Sequence, residues 1–166
     1  MEFDRFTEQS LLNILENQNN AFRKHYCYND LIKFYYKYRN NYPETVYKCM
    51  KLCIEDIKSL PDVETSYVNQ QIEAVSNLYS YDLEKRAQRI KDIKERGFRA
   101  NIPAFDKITM LFFYEKDYEA AIQYCKIAIE YGQDYDLKYT KRIERFKRKR
   151  AIEEKRLYGT ELQHCD

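Results

Sequence analysis

The chain has 166 residues, with 29 Lys and Arg against 27 Asp and Glu, 17 tyrosines, and only three glycines and three prolines. That length is enough for one domain with a buried core, and the scarcity of Gly and Pro argues against a sheet protein, whose turns use more of both. No apolar run approaches the ~20 residues that cross a bilayer, and the acidic, polar start MEFDRFTEQS is unlike a signal peptide, so a cytoplasmic protein without membrane association is expected.

The first element, FDRFTEQSLLNILENQ, sets Phe3, Phe6, Leu11, Ile14 and Leu15 at helical spacing, and the NQNN run around Asn20 ends it. From His25 to Tyr38 the apolar positions Leu31, Ile32, Phe34, Tyr35 and Tyr38 cover more than one side, which predicts a helix held between neighbours. NNYPE predicts a turn, with Pro43 suited to open the next helix. That helix carries Val46, Cys49, Met50, Cys53, Ile54 and Ile57 and is expected to stop at Pro61. The region 62–98 reads as two helices or one long bent one, with two favoured. One stripe holds Val68, Ile72, Val75 and Tyr79, with Leu78 beside it; the other holds Leu83, Ala87, Ile90 and Ile93, ending at Gly97 as a left-handed cap. Pro103 restarts a helix to about Tyr114, EKDY turns the chain, and DYEAAIQYCKIAIEYG forms a helix closed by Gly132. The stretch DYDLKYTKRIERFKRKRAIEEKRLYG, from Asp134, reads as one long charged helix, and TELQHCD ends the chain. About eight helices and no strand are expected, with short connections making neighbours antiparallel. A single domain spans 1–157, and 158–166 is expected to be a flexible tail.

Ala121 and Ala128 lie seven apart and share one helix face, which lets a partner helix approach closely. The preceding helix offers Phe105, Ile108 and Phe112 as the matching stripe. These residues, with Asp117-Tyr118 and Ala121-Ile122, resemble one tetratricopeptide repeat over 102–134. The pattern departs from the family at Thr109, Cys125 and Gln133. A degenerate copy over about 26–59 pairs Tyr42 with Tyr118, Thr45 with Ala121 and Val46 with Ile122, but has Leu52 in place of the second alanine. The whole also looks like small tetratricopeptide-type proteins of Gram-positive bacteria and their phages. The resemblance implies an all-α, irregular array of antiparallel helical hairpins with a charged C-terminal capping helix.

Chemistry has little material here. Five cysteines (Cys27, Cys49, Cys53, Cys125 and Cys165) have no framework spacing, and only His25 and His164 could complete a metal site, so free thiols, no metal and no cofactor are expected. No HExxH, CxxC, phosphate-binding glycine loop or GxSxG occurs. A non-enzymatic protein is expected. The resemblance implies that the first helices of the hairpins line a concave face that binds a protein or peptide. The residues that would line it are Asp30, Phe34, Lys37 and Tyr38 in the degenerate hairpin, and Asp106, Met110, Phe113 and Tyr114 in the better one. The alternative partner is nucleic acid. Positions 138–156 hold ten basic and three acidic residues, with Lys141, Arg145, Arg148 and Lys149 on one broad face and Ile143, Phe146, Ala151 and Ile152 expected to dock inward.

Overall fold

The computed structural model of the protein describes residues 2–161, with side chains described to residue 156. The described residues form seven α-helices and one 3-10 turn joined by turns and short loops, with no strand among them. Most of the expected tail, and with it Cys165 and His164, lies outside them; the backbone of the last helix continues to Glu161. By contact the chain forms two compact units, one up to Ala104 and one from Phe105 onward.

The first unit holds α1 (Arg5–Glu16), α2 (Ala21–Tyr38), α3 (Glu44–Leu78) and α4 (Leu83–Arg96). Three of these starts are set by a side chain that accepts a backbone N–H of the first turn. Asp4 takes Thr7 N at 2.9 Å, Asn20 takes Arg23 N at 3.0 Å and Asp82 takes Lys85 N at 2.9 Å. The Asn20 cap explains why α2 begins at Ala21, one turn before the apolar pattern becomes dense. α2 and α3 form an antiparallel hairpin, with Leu31, Ile32 and Tyr35 buried with Cys49, Cys53, Leu60 and Val63. Its register is marked by the Cys49 thiol, which donates to the Ile32 carbonyl at 3.5 Å, and by His25 Nδ1, which lies 2.7 Å from Asp56 Oδ1.

The expected stop at Pro61 does not occur: α3 runs on for 35 residues with Pro61 inside it. The missing N–H and ring clash disfavour a proline there, but Leu60 and Val63 beside it are 2% and 0% exposed, so packing holds the helix through the break. The region 62–98 is therefore the distal half of α3 followed by α4, with the chain turning at 79–82. α4 packs back on α3 but buries no residue; Ile90 and Ile93 are half-buried and Leu83 is exposed. Gly97 ends it at φ 59°, where a side chain would also collide with the Glu64 carboxylate.

The second unit holds α5 (Pro103–Tyr114, apart from its first two residues), α6 (Tyr118–Glu130), a 3-10 turn (Tyr135–Leu137) and α7 (Lys138–Glu161). α5 and α6 are antiparallel: Phe105 meets Tyr131 at 5.8 Å, and Phe112 stacks on Tyr124 at 5.5 Å. Ala121 and Ala128 are fully buried along this hairpin, as close helix packing requires. Asp117 caps α6 by accepting Ala120 N at 3.0 Å. At the other end Gly132, at φ 67°, closes a paired cap in which Gln133 N bonds to Ala128 O and Gly132 N to Ile129 O, both at 2.9 Å.

The charged helix begins at Lys138, later than its sequence suggests, because Asp134 gathers Tyr139 N, Thr140 N and the Thr140 hydroxyl at 2.6, 3.2 and 2.5 Å. α7 buries Tyr139 and Phe146 and half-buries Ile143. Ala151 and Ile152 do not dock inward as expected; both are exposed, Ile152 at 60%. At ~100° per residue, Ile152 lies about 240° round the helix from Phe146, on the far side from the buried face.

Candidate interaction surfaces

The residues expected to line a groove divide according to what covers them. On α5, Asp106 and Phe113 turn towards α7. The Asp106 carboxylate receives Lys138 Nζ at 2.6 Å and Arg142 Nη2 at 2.8 Å, with Lys107 at 3.3 Å. Arg142 also donates from Nη1 to Thr109 Oγ1 at 2.9 Å. Burial pushes the Asp106 carboxyl up, but Lys138 and Arg142 together outweigh it and hold the carboxyl at about 2. Phe113 stacks on Phe146 at 4.7 Å, and the Arg145 guanidinium lies 5.0 Å from its ring. Met110 is half-buried and Tyr114 is 59% exposed.

The same division appears on α2. Phe3, just before α1, sits 5.4 Å from Phe34 and 5.0 Å from Tyr38, leaving Phe34 half-buried and Tyr38 buried. Asp30 and Lys37 are exposed. Asp30 is 3.6 Å from Lys33, and the Lys37 ammonium is 5.2 Å from the Tyr38 ring. Of the eight groove candidates, Phe34, Tyr38, Asp106 and Phe113 thus contact flanking segments of their own unit, while Asp30, Lys37 and Tyr114 are exposed and Met110 is half-buried.

Two features escape sequence reasoning. A cleft of about 330 Å³ is lined by Leu12, Leu15, Tyr35, Lys48, Leu52 and Glu55. Glu8 braces its neighbourhood, accepting the Tyr35 hydroxyl at 2.7 Å and pairing with Lys48 at 2.6 Å. The amphipathic pattern of α1 was the available signal, since Leu11, Leu12 and Leu15 had to lie against something. The second feature is the polar cluster of His25, Asn29 and Asp56 inside the α2–α3 hairpin. Asn29 Nδ2 lies 3.1 Å from His25 Nε2, and Asp56 Oδ2 and Asn29 Oδ1 have no hydrogen-bond partner among the described residues. Burial drives the Asp56 carboxyl above its usual value against the opposing pull of His25. With His25 1% exposed and Asp56 0% exposed, no substrate reaches this pair.

On α7, Lys141, Arg145, Arg148 and Lys149 are all exposed, and none forms an ion pair among the described residues. Lys141 donates to the Asp136 carbonyl at 3.2 Å, and Arg148 donates to the Glu144 carbonyl at 3.4 Å. Among the described residues Cys27, Cys49, Cys53 and Cys125 form no disulfide, and all but Cys27 are buried; burial pushes the Cys125 thiol up to about 12. No helix among the described residues is long and apolar enough to cross a membrane. No protein-family model, curated protein or solved structure matches the chain.

Proposed function

We propose that the protein is a non-enzymatic scaffold of the tetratricopeptide type that binds another protein or a peptide. The observation that carries this reading is the direction of α7. Asp106 meets Arg142 and Phe113 meets Phe146, so α7 runs parallel to α5. It is antiparallel to α6, as the pairing of Arg150 with Glu119 requires. A helix that packs on both members of a hairpin, parallel to the first, stands where the first helix of a following repeat would stand. The buried pair Ala121 and Ala128 supports the same reading. Partner contact then falls to Met110 and Tyr114 on α5, with Asp30 and Lys37 as the outward positions of the degenerate hairpin. The binding mode rests on analogy with the fold type.

The test is site-specific photo-crosslinking in the native host from positions 110 and 114, with exposed Tyr47 as the off-face control. A discrete protein crosslinked from Met110 and Tyr114 but not from Tyr47 is expected. Met110→Ala with Tyr114→Ala should weaken its capture about tenfold with little change in Tm, whereas Phe113→Ala should cost about 2 kcal/mol of stability through loss of ring packing. Crosslinks alike from all three positions would sink the assignment.

A further inference from the structure

We propose that the outward face of α7 is a docking surface for the phosphate backbone of double-stranded nucleic acid. Lys141, Arg145, Arg148 and Lys149 are spaced four, three and one residues apart, which keeps them within one sector of the helix over about 12 Å of its axis. The charges of this helix are sorted rather than merely abundant. Arg142 and Lys138 go to Asp106, and Arg150 goes to Glu119 and Glu154. Glu153, at one edge of the sector, takes Lys116. Glu144 borders the other edge of the sector, and it offers Arg148 its carbonyl. Lys141, Arg145, Arg148 and Lys149 are thereby left exposed and outside any ion pair among the described residues, although Arg145 also lies 5.0 Å from the Phe113 ring and Lys141 lends its charge to Asp134.

The chemistry of the sector selects the partner. A membrane-surface helix needs an apolar face to insert, but the apolar face of α7 is already buried through Tyr139 and Phe146. Single strands are held by stacking on aromatic rings, and the sector contains none; its one apolar side chain is Ile152. Protein hot spots rest on aromatic anchors in pockets, which this row of long cationic chains lacks. A row of point charges without base-reading or stacking groups suits phosphates alone, by counterion release.

Fluorescence polarisation of the full chain with a labelled 20-base-pair duplex of random sequence tests this. Four phosphate contacts predict a slope of about −3 to −4 in log K against log salt, a loss of roughly 10²-fold from 50 to 200 mM. Arg148→Gln with Lys149→Gln should flatten that slope by about 2, while Lys126→Gln with Lys147→Gln, which removes two exposed charges away from the sector, should leave it nearly unchanged. Circular dichroism of each variant checks that the fold is kept. Absence of binding at 50 mM salt, equal weakening by the two variants, or capture by phosphatidylserine vesicles but not by duplex would each overturn the proposal.

Discussion

Two aspartates, Asp56 buried and Asp106 half-buried, respond in opposite ways to the loss of water. Asp56 has one histidine for company, and burial wins, so its carboxyl rises. Asp106 has Lys138 and Arg142 within 2.8 Å, and their charge wins, so its carboxyl falls to about 2 from the usual 3.8. A depressed folded value means that Asp106 contributes stability above the unfolded value near 3.8, and that this contribution disappears as pH falls towards 2. The size is at most about 2 kcal/mol, trimmed by the solvent that reaches the cluster. Asp106→Asn should therefore lower stability at pH 7 and also flatten its decline between pH 5 and pH 2. Urea unfolding across that range measures both effects, and an unchanged acid slope in the variant would show that the cluster does not fasten α7 to α5. The sequence offered Asp106 as a groove residue because helical spacing identifies a face; it cannot say which neighbour already occupies that face. Phe113 and Phe34 are misleading for the same reason, since the ring that covers each comes from a distant part of the chain.

At the scale of elements, most of the helix boundaries are legible because they are set locally. Asp4, Asn20, Asp82 and Asp117 each sit where their carboxylate or amide closes a first turn, and Gly132 supplies the positive φ that ends α6. Pro61 obeys the same local logic, yet the helix ignores it, because Leu60 and Val63 bury against the hairpin. The disfavoured proline is held by packing and should be removable with gain. Pro61→Ala restores a backbone donor and removes the ring clash, so stability should rise by about 1 to 3 kcal/mol. Chemical denaturation followed by far-UV circular dichroism checks this; a loss instead would mean that the packing of Leu60 and Val63 depends on the proline ring. The last helix carries the converse lesson. Ile152 reads as core by its chemistry, but its position six residues past Phe146 places it outside.

Across the whole molecule, burial is unevenly distributed, and protection from hydrogen exchange should follow it. α2 buries seven residues and the stretch of α3 up to Val63 buries eight, whereas α4 buries none and α1 buries none. α3 is continuous, so its two halves differ in packing and not in backbone pattern: past Val63 its apolar side chains are only half covered, and Leu78 is 74% exposed. Local opening takes place where few apolar contacts must be broken, so amides of 66–96 should exchange well before those of 28–60. Within the second unit, α6 with its buried Ala121, Cys125 and Ala128 should be the slow element, and the part of α7 beyond Phe146 should be fast. Hydrogen exchange read by mass spectrometry at peptide resolution tests this ranking. Equal protection of 83–96 and 28–38 would mean that α4 is covered in solution by something beyond its own unit, and would direct the search for a partner to that helix rather than to α5 or α7.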